Sequence, residues 1–485
     1  MSQFSNTNVV TATKWSTITE LLAKLVSPIT TMVLARILAP EAFGVLVTVT
    51  MVISFAEIFT DAGFQKYLIQ HEFNDDEDKY QTVTTAFWAN LILSICIWVG
   101  IIIFADPIAA IVGNPGKGNV ISFSCVCIPL AAFSSIQFAL YKRNFDFKTL
   151  FSVRLVATLI PVVITIPLAL ITKNYWSLVI GMVCLNVSNA ILLTIKSPWK
   201  PYIFFNWAKL KAMLSFSIWS VLEAVSIWLT NYVDVFIVGT LLSQHYLGVY
   251  KTSMSIVAQI MAIITASTTP VLYASLSRLQ NSPDEYNTFF LKFQGIVSII
   301  IIPMGVGIYL FRHFITSVLL GQQWYEAAGF IGLWALTSSI VIVFSYYTSE
   351  VTRSKGKPSV SFFSQVLHLC FLVPTILFAS KYGFEILYTA RSLVRLQAVI
   401  VDLIILYVLT RITPIKVLKN ICIPFIAAAV MTVLYNFLPS VMPDRIVTNI
   451  IYIVLCVVVY FVVLSLFPKE RSLLINIISQ IKAKL

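Results

Sequence analysis

Apolar runs of about 20 residues follow one another from Trp15 to Phe467, with only short polar loops between them. At 1.5 Å per residue each run makes a helix of about 30 Å, the thickness of a bilayer's hydrocarbon core. The ten-residue alternation of a membrane-spanning strand is missing, so helices are the predicted elements. Fourteen spans are predicted, beginning near residues 13, 42, 82, 119, 150, 174, 211, 245, 289, 325, 358, 383, 418 and 445. An even number places both termini on one side. The composition agrees: 58% of the 485 residues are hydrophobic and 11% charged, more apolar surface than a soluble core buries.

Charge then sets the orientation. Of the residues behind the net +12, about 21 Lys and Arg fall in one set of alternate loops and about six in the other. Clusters such as Lys142, Arg143 and Lys148, or Arg353, Lys355 and Lys357, mark the cytoplasmic side. Both termini are therefore expected in the cytoplasm. The polar leader Met1 to Thr13 carries no positive charge and runs into a span too long for a signal-peptide core, so no cleavage is expected.

The informative charges are those at membrane depth, where each is expensive unless it meets water, a partner or a ligand. Arg391 and Arg395 lie four apart on one face of span 12, the second near the midplane. They line a cavity, or snorkel, or pair with Asp402 or another span's acid. Lys24 follows Glu20 by one turn, which suits either a local pair or a cavity-facing lysine. Arg154, Lys251 and Arg36 stand near the ends of their spans and suit interface anchors as well as cavity cations. The acids Glu20, Glu57, Asp61, Glu223 and Asp234 are candidates for proton or sodium coupling, or for pairing with those cations. Pro28, Pro161, Pro270, Pro303 and Pro374 are expected to kink their spans.

An internal repeat appears at an offset of 204 residues: Trp15-Ser16 matches Trp219-Ser220, and Phe43-Gly44-Val45 matches Leu247-Gly248-Val249. The predicted fold is all-α and integral to the membrane, with two pseudo-symmetric six-helix lobes, residues 1–196 and 212–411, related about the membrane normal. Residues 197–211, where Trp and Tyr mix with lysines, form an interfacial linker. Residues 412–485 add spans 13 and 14 as a helical hairpin, and a tail.

Covalent chemistry has no foothold. All seven cysteines lie in apolar segments and read as packing, and no disulfide, metal site or cofactor is expected. The D-x-D within Asp75–Asp78 sits in a short loop with no nucleotide-binding domain beside it and reads as a solvated run. There is no P-loop, no G-x-S-x-G and no zinc spacing, and only four histidines.

The segments ARILAPEAFGVL from Ala35, DAGFQKYLIQ from Asp61 and TTAFWANL from Thr84 resemble the opening of bacterial Wzx-type polysaccharide flippases. These form the polysaccharide-transport branch of the multidrug/oligosaccharidyl-lipid/polysaccharide exporter superfamily. WKP from Trp199 and NYVDVFIVGTLLSQHYLGVY from Asn231 look like that family's second lobe. Asp61 and Asp234 fall on family-pattern positions. The resemblance implies twelve to fourteen spans, two lobes that alternate access and a cationic cavity for the pyrophosphate and sugars of a polyprenyl-linked oligosaccharide. Arg391, Arg395, Lys24, Arg154 and Lys251 are the cations this chain offers such a cavity. The expected partners are that lipid-linked substrate, membrane lipid, and glycan polymerase and glycosyltransferase neighbours; nucleic acid is not expected.

Two other readings compete. A cation-coupled multidrug exporter of the same superfamily favours acids over arginines in its cavity. An integral-membrane glycan polymerase or ligase calls for a substantial outward loop bearing catalytic residues, and the outward loops are short.

Overall fold

A computed structural model of the chain describes residue 26 and residues 28–61, 64–144, 146–197, 199–438 and 446–473. Among these the regular structure is entirely helical. The helices are α1 (Pro28–Ile37), α2 (Pro40–Asp61), α3 (Phe64–Gln70), α4 (Asp76–Ile103), α5 (Ala105–Ile111), α6 (Gly118–Ser124) and α7 (Cys127–Arg143). Then follow α8 (Phe147–Ile160), α9 (Ile166–Thr172), α10 (Trp176–Lys196), α11 (Trp207–Leu241), α12 (Gln244–Arg278), α13 (Pro283–Leu310) and α14 (Arg312–Leu319). The last are α15 (Ala327–Val341), α16 (Thr348–Ser354), α17 (Pro358–Ala379), α18 (Phe384–Val394), α19 (Leu396–Thr410), α20 (Pro414–Phe437) and α21 (Ile446–Ser465).

Among the described residues thirteen helical stretches are long and apolar enough to cross a bilayer. They correspond to predicted spans 2 to 14. Span 1 lies mostly outside the described residues, and α1 is its visible end.

Local chemistry sets the boundaries. The acidic run read as a solvated loop starts α4: Asp75 accepts a hydrogen bond from the Asp78 amide, and Asp76, Glu77 and Asp78 occupy the first turn, where carboxylates suit the helix dipole. Asp146, Asn206 and Thr413 cap α8, α11 and α20 in the same way. Lys173 and Arg411, both with positive φ, close α9 and α19 in the left-handed conformation.

Three spans are less regular than their hydropathy predicts. A π-helical segment, Pro161–Thr165, joins α8 to α9, because proline supplies no amide to an α-helical ladder. A second, Ile342–Tyr346, follows α15, and span 12 breaks into α18 and α19 at Arg395. Pro270, Pro303 and Pro374 lie inside α12, α13 and α17, and Pro424 inside α20; Pro28 is the first described residue of α1.

The chain divides into two compact units, Met1–Lys251 and Thr252–Leu485, the boundary falling within the continuous helix α12. The first unit's core joins α3, α4 and α7 to the segment after α10: Phe64, Leu68, Phe87, Ile136, Leu140 and Trp199 pack together. Trp199 Nε1 donates to Thr84 Oγ1 (3.3 Å), Trp88 Nε1 donates to the Tyr202 carbonyl (2.8 Å), and Lys209 bonds to Asp78, so residues 199–209 are pinned to α4. Arg143 donates to the carbonyls of Leu68 and His71 (2.8 and 2.7 Å), satisfying the C-terminal end of α3.

Segments 204 residues apart meet in this unit. A Cβ placed on Gly44 of α2 would lie 2.1 Å from the Gln244 carbonyl oxygen, and one on Gly248 of α12 would lie 1.9 Å from the Pro40 carbonyl oxygen. The contacts are reciprocal, since 244 is 40 plus 204 and 248 is 44 plus 204, which makes a local twofold. On it Glu41 Oε1 meets His245 Nδ1 at 2.8 Å.

In the second unit α20 and α21 are tied to α13. Asn420 Nδ2 donates to the Leu291 carbonyl (2.7 Å) and the buried Tyr460 hydroxyl to the Ile299 carbonyl (3.0 Å). Val447, Ile451, Val454 and Val458 of α21 are exposed while Cys456 and Leu464 are buried, the apolar-outward pattern of a helix whose solvent is lipid.

Candidate functional site

Within the first unit, α2, α3, α4, α7, α8, α10 and α11 line a half-open cavity of about 490 Å³ whose wall includes Glu57, Gln65, Asn90, Ser135, Arg154 and Asn189. Its size is that of a small-ligand pocket. Its polarity is costly in a span: each carboxamide and charge in hydrocarbon needs a partner or water. Asn90, 1% exposed, donates from Nδ2 to Ser135 Oγ (2.9 Å), while its Oδ1 accepts no hydrogen bond among the described residues. Ser54 accepts from Trp228 Nε1 (3.1 Å), which ties α11 to the cavity wall.

Adjoining it is a second space of about 410 Å³, lined by Leu34, Leu46, Thr50, Pro161, Leu178 and Leu185 among others. Two of its four threonines bond to their own helices: Thr30 donates to the Val26 carbonyl (3.0 Å) and Thr50 to the Val47 carbonyl (2.9 Å). With Leu34, Leu46, Leu178, Met182 and Leu185 in it, this wall is more apolar than the first. Arg154 and Asn189 are the residues common to both linings.

The second unit gathers the other deep arginines. Arg391 and Arg395, expected on one face, both lie over the Trp334 ring, at 4.9 and 3.9 Å from its centroid. Arg395, at the break between α18 and α19, also donates to Ser338 Oγ (2.7 Å), and Arg391 is 7% exposed. Stacking on an indole face compensates in part for taking a guanidinium out of water, by about 2 kcal/mol when desolvated. Asp402, weighed above as their partner, instead accepts from Ser345, in the π segment, and from Ser364 (3.2 Å). Between α13, α14, α20 and α21 lies an apolar groove of about 320 Å³ that includes Gly307, Met431 and Phe461.

The remaining sequence candidates are scattered. Lys251 lies 5.2 Å from the Tyr232 ring centroid and bonds to the Asn231 carbonyl (3.4 Å). Asp234, 1% exposed, accepts from the Tyr250 hydroxyl and from the Val235 amide, both at 2.8 Å, a structural arrangement for both carboxylate oxygens. Lys24 and Glu20 lie outside the described residues, as do the side chains of Asp61 and Glu223. Glu57 and Arg154 are thus the two candidates the structure brings to one cavity. Sequence reasoning missed Gln65, Asn90 and Asn189, though the carboxamides of Asn90 and Asn189, each within a predicted span, were themselves a signal.

A family model described as polysaccharide biosynthesis protein matches residues 33–329, more than half of the sequence. The chain belongs to that family. Curated relatives include the succinoglycan biosynthesis transport protein ExoT of Rhizobium meliloti (strain 1021), 23% identical over 471 residues, 94% of this chain and 92% of that protein. The lipopolysaccharide biosynthesis protein WzxC of Escherichia coli (strain K12) is 21% identical over 382 residues, 77% and 75% of the two chains. Among solved structures, lipid II flippase MurJ in an inward closed conformation superposes with a TM-score of 0.71 at 14% identity, over 94% of this chain and 98% of that one. An inward-facing multidrug resistance MATE family transporter gives 0.61 at 14% identity, over 82% and 94%. This family member therefore has the fold of multi-span membrane transporters.

Proposed function

We propose that this protein moves a polyprenyl-linked oligosaccharide from the inner to the outer leaflet of the bacterial cytoplasmic membrane by alternating access, for surface polysaccharide synthesis. The observation that carries the reading is the polar, arginine-bearing cavity lined by membrane-spanning helices. A lipid bilayer resists a sugar head group because its hydroxyls and phosphates must shed water. Carboxamides and hydroxyls on a cavity wall replace those hydrogen bonds, and a guanidinium, charged at any depth, matches a phosphate bidentately. The barrier falls with no bond broken, so the protein is a transporter and not an enzyme.

On this reading residues 1–196 and 212–411 act as two six-span lobes joined by the 197–211 linker, with residues 412–485 appended and both termini cytoplasmic. Glycosyltransferases that build the head group and a polymerase that consumes it are its neighbours in the membrane. The test is the leaflet distribution of lipid-linked oligosaccharide in cells lacking this protein. Accumulation on the inner leaflet with loss of surface glycan is expected; an unchanged distribution counts against the reading.

A further inference from the structure

We infer that residues 199–211, between α10 and the body of α11, form a rigid ledge that docks on acidic phospholipid of the cytoplasmic leaflet. Tyr202, Ile203, Phe205 and Trp207 enter the acyl chains, and Lys196 and Lys211 meet the headgroup phosphates. The surface requires only that the chain spans a membrane, and is independent of what the chain carries.

The level of the segment is set by its hydrogen bonds to α4. From Thr84 to Ile103 that helix has about 20 residues and a length of about 30 Å, the thickness of the hydrocarbon core. Trp199 Nε1 donates to Thr84 Oγ1, the Asn206 amide donates to Thr85 Oγ1 (3.3 Å), and Trp88 Nε1 donates to the Tyr202 carbonyl. All three bonds fall at one end of that stretch, the end that the lysine-rich loops mark as cytoplasmic. Lys209 reaches beyond it to Asp78, in the first turn of α4. The segment therefore lies where hydrocarbon gives way to headgroups.

It is also fixed there. Lys200 donates to the carbonyls of Thr194 and Ile195 and so closes the C-terminal end of α10. Leu210 and Met213, on the inner face of α11, are buried in the first unit's core. With the backbone and the inner face held, the outward side chains have nothing to fold against. Ile203 is 95% exposed and Trp207 68%, and Phe205 and Tyr202 are exposed beside them. Four large apolar and aromatic side chains bared within six residues make a patch that acyl chains solvate and water does not.

Charge selects the lipid. Four lysines stand between residues 196 and 211, and two of them, Lys200 and Lys209, are already bonded within the ledge. Lys196 and Lys211 are exposed and make no hydrogen bond or ion pair among the described residues. Lys211 follows Trp207 by one turn on the same face, so the ring can enter the acyl layer while the ammonium stays among the phosphates. The exposed side of α21, with Val447, Ile451, Val454 and Val458 and no lysine, offers apolar contact without this choice. An acidic phospholipid matches both parts of the ledge, whereas a zwitterionic one brings its own cationic group up to the lysines.

The test uses the purified full chain in phosphatidylcholine nanodiscs doped with phosphatidylcholine or phosphatidylglycerol brominated on the acyl chains. Tryptophan quenching in wild type minus that in Trp207→Phe isolates Trp207, and Ile203→Trp in the Trp207→Phe background reports from the tip of the ledge. Trp207 is expected to be half-quenched at a mole fraction of brominated phosphatidylglycerol about fivefold lower than of brominated phosphatidylcholine, the effect of one lysine beside a charged bilayer. Lys196→Gln combined with Lys211→Gln should bring the two curves together, and Lys211→Arg should keep them apart. Wild type in about 1 M salt, where the Debye length is about 3 Å, should lose the preference with no substitution made. Coincident curves for wild type at low salt overturn the inference. So does quenching of Trp207 by aqueous acrylamide and by neither lipid, which would place the ledge in water and open it to a soluble partner. Displacement of brominated phosphatidylglycerol by trace farnesyl diphosphate would assign the surface to an isoprenyl lipid and overturns it as well.

Discussion

Replacing Gly44 or Gly248 by alanine tests the reciprocal contact between α2 and α12. A methyl on Gly248 would sit 1.9 Å from the Pro40 carbonyl oxygen, and one on Gly44 would sit 2.1 Å from that of Gln244. Ordinary contact begins near 3.4 Å, so the helices must part by more than an ångström, and a backbone carbonyl cannot rotate aside. Overpacking costs about 1–3 kcal/mol, and the upper end applies to a rigid obstacle. Alanine returns about 1 kcal/mol through its helix propensity, which leaves each single variant less stable by about 2 kcal/mol. Because both methyls push apart the same two segments, the double variant should lose less than the sum, with a coupling of at least about 0.5 kcal/mol. Gly100→Ala and Gly307→Ala are the controls. Nothing lies within 4 Å of either new methyl, so both should gain up to about 1 kcal/mol from propensity alone. Equilibrium unfolding in detergent measures all five. A Gly248→Ala as stable as Gly100→Ala, or a double variant equal to the sum, would refute the contact.

Asp234→Asn and Tyr250→Phe should each cost about 1–3 kcal/mol of stability, the penalty for breaking a buried hydrogen bond, with strong coupling in a double-mutant cycle and little change in transport per folded molecule. Trp334→Leu should destabilise the second unit by more than the lost packing alone, because it removes the ring under both Arg391 and Arg395; comparison with Trp334→Phe, which keeps an aromatic face, isolates the cation–π part at about 1–2 kcal/mol. Glu57→Gln should abolish any response of reconstituted flipping to an imposed proton or sodium gradient if the cavity carboxylate is the coupling group, and an unchanged response removes it from that role.

The spans were legible because hydropathy and length are properties of single segments. Their caps were nearly so: Asp75 through Asp78 looks like a helix start as readily as a loop, and only the Asp78 amide pointing back at Asp75 decides it. That Arg391 and Arg395 share a face was also legible, since helical spacing fixes it. Their common platform was not, because Trp334 lies 57 residues before Arg391 on another helix. Arg154 shows the same limit more sharply. From the sequence it is one cation near the end of a span, suited to snorkelling; its position between two cavities depends on how α2, α7 and α10 pack around it. Asn90 stood in plain view within TTAFWANL, in a segment that carries the family resemblance. What its burial means required knowing that Ser135 takes only half of its amide.

The Glu41–His245 pair joins positions 204 residues apart, the offset of the repeat read in the sequence. On a twofold, a residue faces its own counterpart. Two separate identical subunits carrying glutamate there would set carboxylate against carboxylate, and two carrying histidine would set imidazolium against imidazolium at low pH. In a single chain the two positions are separate residues and need not match. Here one position is a carboxylate and the other an imidazole, so where identical residues would repel, unlike ones share a hydrogen bond.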